Sequence, residues 1–185
     1  MTSRSEALPV AHPAAGAYGR LFVRSAAFLA LYIALDAATY TLPSAPFAAT
    51  PWNPHPALAV ALVALGGPVY APAVFAAVVL AEYLVRDAPG TLLGTAVACG
   101  GMAASYVAAA LALRRVVPVA WAQAGVRDIA WFIGIAGAGT LLAAFLYVGG
   151  YLLDGTLEPS EGPRVLAYLW LGDVLGLIVL TPLLL

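Results

Sequence analysis

The sequence predicts an all-α integral membrane protein, a polytopic bundle of about six transmembrane helices that includes a short broken hairpin. Three observations predict this. First, 63% of the 185 residues are hydrophobic and 9% charged, with a mean hydropathy of +0.95, whereas soluble domains carry roughly 25% charged residues. Second, Leu21 to Tyr40, Gly90 to Leu113, Ile129 to Leu152 and Val165 to Leu185 each reach the about 20 mostly apolar residues that cross a bilayer. Third, the apolar stretch Pro56 to Val85 is long for one helix and is interrupted by GGPVYAP. Gly66, Gly67 and Pro68 turn the chain there, and Pro72 suits the start of a new helix.

Taken in order, the expected helices lie near residues 21–40, 56–67, 70–85, 90–113, 129–152 and 165–185. They form a transmembrane domain over 20–185, preceded by a cytoplasmic tail over 1–19. Arg20 and Arg24 before an apolar run imitate a signal peptide, but the run is long and no cleavage-like boundary precedes TLPSAPFAATPWNPHP, so the helix is read as retained. The first hairpin arm, Pro56 to Leu65, is only about ten residues long, so it either starts below the membrane surface or extends upward through TPWNPHP. Irregular backbone at that depth requires surrounding protein or a water-filled cavity, which makes the arm a candidate pocket wall.

Charge placement sets the orientation. With the N-terminus inside, six crossings put Arg4, Arg20, Arg24, Arg114, Arg115 and Arg127 in the cytoplasm and only Arg86 and Arg164 outside. One kinked span in place of the hairpin would send Arg114, Arg115 and Arg127 outside, so the positive-inside rule favours the hairpin. Both termini are then cytoplasmic. The outer loops are Thr41 to His55, the turn from Arg86 to Pro89, and the acidic segment between Leu153 and Val165.

Composition also excludes functions. Lys+Arg total 8, all arginine, with a net charge of −1, which leaves no basic surface for a nucleic-acid backbone. The single cysteine, Cys99, forms no internal disulfide and no thiolate metal cluster. His12 and His55 have no metal-ligand spacing, and neither a metal nor a cofactor is expected. The chain has no Walker loop, HExxH, GxSxG or dinucleotide fingerprint, so it is expected not to be an enzyme itself. The small residues of CGGMAAS, Cys99 to Ser105, serve helix contact, as the general Ala and Gly richness does.

The residues with chemistry to offer are those that should not be in lipid. Asp36, Glu82, Asp173 and His55 lie in or near the bilayer, where a charge at the centre costs at least about 2.5 kcal/mol on insertion scales. One reading is an outward-facing polar pocket lined by Trp52, Asn53, His55, Asp36, Glu82 and Asp173. The other sends Asp36 and Glu82 to interfacial water and leaves Asp173 with a structural hydrogen bond. PWNPHP likewise reads as a ligand-facing loop or as a rigid helix lead-in with Trp52 as an interfacial anchor. Tyr147, Tyr151, Tyr168 and Trp170 are expected to form an interfacial aromatic belt.

Two stretches carry a resemblance. TPWNPHPALAVALVALGGPVYAPAVFAAVVLAEYLV, Thr50 to Val85, and WLGDVLGLIVLTPLLL, Trp170 to Leu185, resemble the first membrane-associated sensor domain family, MASE1, of bacterial histidine kinases and diguanylate cyclases. The first matches a proline-flanked approach, an Ala/Leu-rich helix, a glycine turn and a Pro-aromatic helix. The second matches a Trp, Gly-Asp-x-Leu-Gly and Thr-Pro-Leu-Leu ending. The chain departs from the family at Pro54 to Ala57, where Pro-Pro-x-Gly is common, and at Glu82, near which a polar amide is usual.

The resemblance implies a sensor domain of the bacterial cell inner membrane that detects an unknown small-molecule or membrane-protein signal. It would regulate a C-terminal kinase or cyclase in signal transduction, including two-component systems, and act as a homodimer for which Gly134, Ala138 and Leu142 offer a helix stripe. It makes Gly172, Asp173, Gly176 and Pro182 the candidates for signal transmission, with Pro182 at an inner-face exit and the chain one domain of a longer protein. A small substrate-binding transport component and a membrane anchor remain the alternatives from the residues themselves.

Overall fold

The computed structural model describes residues 15–40, 52–87, 90–116 and 124–185, with backbone alone at 15–17. The tail before residue 15, with Arg4 and His12, and parts of the loops expected from Thr41 to His55 and from Arg114 to Asp128 lie outside the described residues. The described residues form helices α1 (Ala15–Thr39), α2 (His55–Gly66), α3 (Ala71–Leu84), α4 (Leu92–Val116), α5 (Val126–Leu153) and α6 (Gly162–Leu184), with no strand among them. Four of these helices are long and apolar enough to cross a membrane, while the helices over His55–Gly66 and Pro68–Leu84 are shorter. The helical bundle expected from the sequence is the fold observed.

The outer surface is that of a membrane protein. Phe22, Leu84, Leu92, Leu93, Val126, Leu153 and Leu183 are all exposed, and the buried set includes Asp36, Asn53, His55, Glu82 and Asp173. Soluble folds sort these classes the other way, because water rewards exposure of charge and lipid does not. Without a hydrophobic drive between helices, close backbone approach holds them together. Along α4 and α5, Gly150 faces Ala98, Gly139 faces Ala109 and Gly101 faces Leu146, each too close for an added Cβ without a shift. Gly101 thus gives CGGMAAS the helix-contact role expected of it. Gly134, Ala138 and Leu142 lie on the outward face of α5.

The stretch Pro56 to Val85 is two helices. Gly67 adopts φ 92° and ψ 178°, a 3-10 turn follows over Pro68–Tyr70, and the Tyr70 ring lies against Gly66. The Val63 carbonyl, at the end of α2, accepts the Gly67 N–H at 2.8 Å and Arg114 Nη1 at 3.2 Å, so a cation from α4 complements the negative helix terminus. At 12 residues, α2 is about 18 Å long, against about 30 Å of hydrocarbon. It packs against α1, α4 and α6, and most of its residues are buried. The start of α2, through His55, and the segment after α3, through Arg86, both reach Asp36 Oδ1, so the two ends of the hairpin lie together.

The backbone of Gly67 lies where essentially only glycine is stable. Gly67→Ala is therefore expected to destabilise the fold by about 1–3 kcal/mol. Detergent-titrated unfolding followed by circular dichroism measures this, and an unchanged midpoint would show that the hairpin tip tolerates a relaxed backbone.

Candidate functional site: a buried charge cluster

Asp36 is near the end of α1, and its side chain turns into the bundle, where the residue is 1% exposed. Its Oδ1 accepts Arg86 Nη2 at 2.6 Å and lies 3.3 Å from His55 Nδ1. The Arg86 guanidinium also approaches Glu82 Oε2, one helical turn back, at 3.8 Å. Glu82, 0% exposed, is held from the opposite side by α5. Tyr147 donates its hydroxyl to Oε1 and Oε2 at 2.9 and 3.0 Å, and Tyr151 donates to Oε1 at 2.8 Å.

The second half of the cluster surrounds α6. Asp173 accepts Asn53 Nδ2 at 2.9 Å and the Tyr106 hydroxyl of α4 at 2.5 Å. The Asn53 backbone N–H donates to the Gly172 carbonyl at 3.1 Å, and Gly176 presses on the Asn53 carbonyl so closely that a Cβ there would clash with it. Asn53 is two residues before His55, whose ring makes an edge contact with Tyr32 at 4.8 Å. The polar groups therefore run continuously from Asp173 through the α2 lead-in to Asp36, Arg86 and Glu82. The carboxylates are not spread over separate interfaces with water.

Of the residues expected to line a pocket, Asn53, His55, Asp36, Glu82 and Asp173 are brought into this cluster. Trp52, 39% exposed, is at its margin. The transmission candidates Gly172, Asp173 and Gly176 meet the α2 lead-in, whereas Pro182 lies inside α6, two residues before its end at Leu184. Within PWNPHP, the described residues Trp52 to Pro56 serve as both a helix lead-in, with His55 and Pro56 opening α2, and a source of polar contacts.

Arg86 follows α3, in the turn expected there, and its side chain, 11% exposed, bridges two buried carboxylates. Two expectations are corrected. Tyr147 and Tyr151 are 2% and 0% exposed and so are not belt residues; lipid-facing rings would leave Glu82 without its donors. Trp170 donates its indole N–H to the Gly137 carbonyl at 3.0 Å, tying α6 to α5, and only Tyr168 of the four stays exposed. Two spacings in the sequence point to these roles. Glu82 and Arg86 are four apart, the spacing of an intrahelical ion pair, and Tyr147 and Tyr151 share a helix face in the same way.

A polytopic helical membrane protein with a charged core is what this fold and cluster define. The chain matches no family model, and it matches none of the curated proteins or solved structures with which it was compared.

Proposed function

We propose that this chain is a membrane-embedded sensory input domain that regulates a C-terminal cytoplasmic signalling domain, a histidine kinase or diguanylate cyclase, at the bacterial inner membrane. The reading rests on the resemblance of Thr50 to Val85 and Trp170 to Leu185 to the MASE1 family. One observation carries it further: Asp173 on α6, the last helix, is bound to Asn53 of the α2 lead-in and to Tyr106 of α4. A signal that re-pairs Asp173 would shift or rotate α6 and so reach whatever follows it. It can do so only if it binds the two arrangements with different affinity. Both termini are placed in the cytoplasm by the positive-inside rule, and the partners are lipid, the signal, the output domain and a second copy of the chain.

The test fuses a cytoplasmic diguanylate cyclase after Leu185 and measures cyclic dinucleotide production in membranes. Asp173→Asn keeps the shape but weakens the charge-assisted bonds, and it is expected to change basal output several-fold at unchanged protein level. Output equal to the parent fusion would sink the coupling role of Asp173.

A transport component is the second reading, because the α2–α3 hairpin is short and broken beside buried carboxylates, as in transporter sites. Substrate uptake that requires Asp36 or Glu82, with no effect of Asp173→Asn on a fused output, would favour it.

A further inference from the structure

The charges of the cluster do not balance. Asp36 and Glu82 are both buried carboxylates, and among the described residues Arg86 is the one permanent cation that contacts them. With a neutral His55 these four groups sum to −1. A residual charge in a site closed to water is costly, because low dielectric removes the screening that makes exposed imbalance cheap.

Hydrogen bonding shows where the imbalance is concentrated. Glu82 has both oxygens occupied by tyrosine hydroxyls from α5, and Asp173 has one donor on each oxygen. Asp36 Oδ2 and His55 Nδ1 are instead buried with no hydrogen-bond partner among the described residues, and the two side chains approach to 3.3 Å. Among the described residues no three metal-ligating side chains are grouped to hold a metal ion. A proton is the cation that fits this closed space.

We propose that the Asp36–His55 pair is a proton-binding site, holding one exchangeable proton that brings the Asp36, His55, Glu82 and Arg86 group to zero net charge. The proton comes from bulk water and returns to it, resting as imidazolium beside carboxylate or as carboxylic acid beside neutral imidazole. Either form gives the same total charge. Arg86 is the least covered of the four side chains and so the nearest route to bulk.

The other ionisable groups around the pair have settled roles. From α1, Tyr32 presents its ring to His55; from α5, Tyr147 and Tyr151 are donors to Glu82. From α4, Tyr106 is a donor to Asp173 of α6, and Cys99 is a buried free thiol. None of these supplies a positive charge. Loss of the proton would therefore leave an uncompensated carboxylate where α1, α2 and the end of α3 meet. This inference does not depend on the sensory reading, since a transporter would use such a site equally.

The test uses the full chain in lipid nanodiscs, with His12→Gln so that His55 is the single imidazole of the two in the sequence. Imidazole nitrogen and aspartate carboxyl carbon shifts are followed by NMR from about pH 5 to about pH 9, the range in which histidine ordinarily titrates. One protonation step is expected in one or both signals. Asp36→Asn is expected to remove the step or weaken proton binding by about tenfold or more, as loss of an adjacent opposite charge does. Flat signals in the parent chain, or a step unchanged by Asp36→Asn, would overturn the proposal. If Asp36→Asn does not fold, Asp173→Asn decides: a step that survives supports the Asp36–His55 assignment, and a step that vanishes gives the proton to Asp173 and overturns it.

Discussion

Arg86→Ala is expected to destabilise the protein more than any other single substitution in the cluster, by about 3–5 kcal/mol, the usual cost of leaving buried charge without its partner. The side chain bonds Asp36 at 2.6 Å and approaches Glu82 at 3.8 Å, so its loss strands two carboxylates at once. Replacing the whole network with apolar groups could cost little; removing one partner does not allow that escape. Unfolding in a mixed-detergent titration measures the loss. Arg86→Lys keeps the charge but not the planar fork and is expected to fall between the two. Combining Arg86→Ala with Asp36→Asn and Glu82→Gln should recover part of the stability, because the stranded charges are then gone. If Arg86→Ala unfolds at the parent midpoint, the carboxylates reach water and the closed cluster is refuted.

Gly176→Leu is expected to have the second largest effect. Its new side chain would start inside the Asn53 carbonyl and reach Pro54, so α6 must withdraw from the α2 lead-in. Overpacking in a tight core costs about 1–3 kcal/mol, and here the bonds from Asn53 to Gly172 and Asp173 are at risk as well. Gly176→Ala should show the same effect in reduced form. Gly149→Leu is the control, since an added Cβ at Gly149 of α5 meets nothing. Limited proteolysis at the α2 lead-in together with the unfolding midpoint separates the outcomes. Equal behaviour of Gly176→Leu and Gly149→Leu would mean that α6 does not hold the lead-in.

How much of this was legible beforehand depended on whether a feature was local. The long helices follow from runs of apolar residues, and their observed bounds, such as Leu92–Val116 against 90–113, differ only at the ends. The hairpin break follows from Gly66, Gly67 and Pro68, whose backbone preferences act over a few residues. That Asp36, Glu82, Asp173 and His55 are special follows from the cost of placing such groups in lipid. Which of them meet was not legible, because Asn53 and Asp173 are 120 positions apart and Tyr147 and Glu82 are 65 apart. Arg86 lies just past α3, as expected, but its pairing was not legible, because its partner Asp36 is on a different helix.

The sequence by itself determined that this chain enters a membrane, where most of its helices begin and end to within a few residues, α1 starting at Ala15 inside the expected tail, and which few polar side chains must be sheltered. Those outcomes are set by the free energy of moving each residue out of water, which depends on its type and immediate neighbours. Only the tertiary structure decided that the sheltered groups form one network, with Arg86 between two carboxylates, tyrosines of α4 and α5 as donors, and Asp36 and His55 left short of partners. Pairing is a property of distance and angle between helices. A carboxylate that must be neutralised can accept a hydroxyl, a guanidinium or a proton at similar cost, and helix packing selects among them.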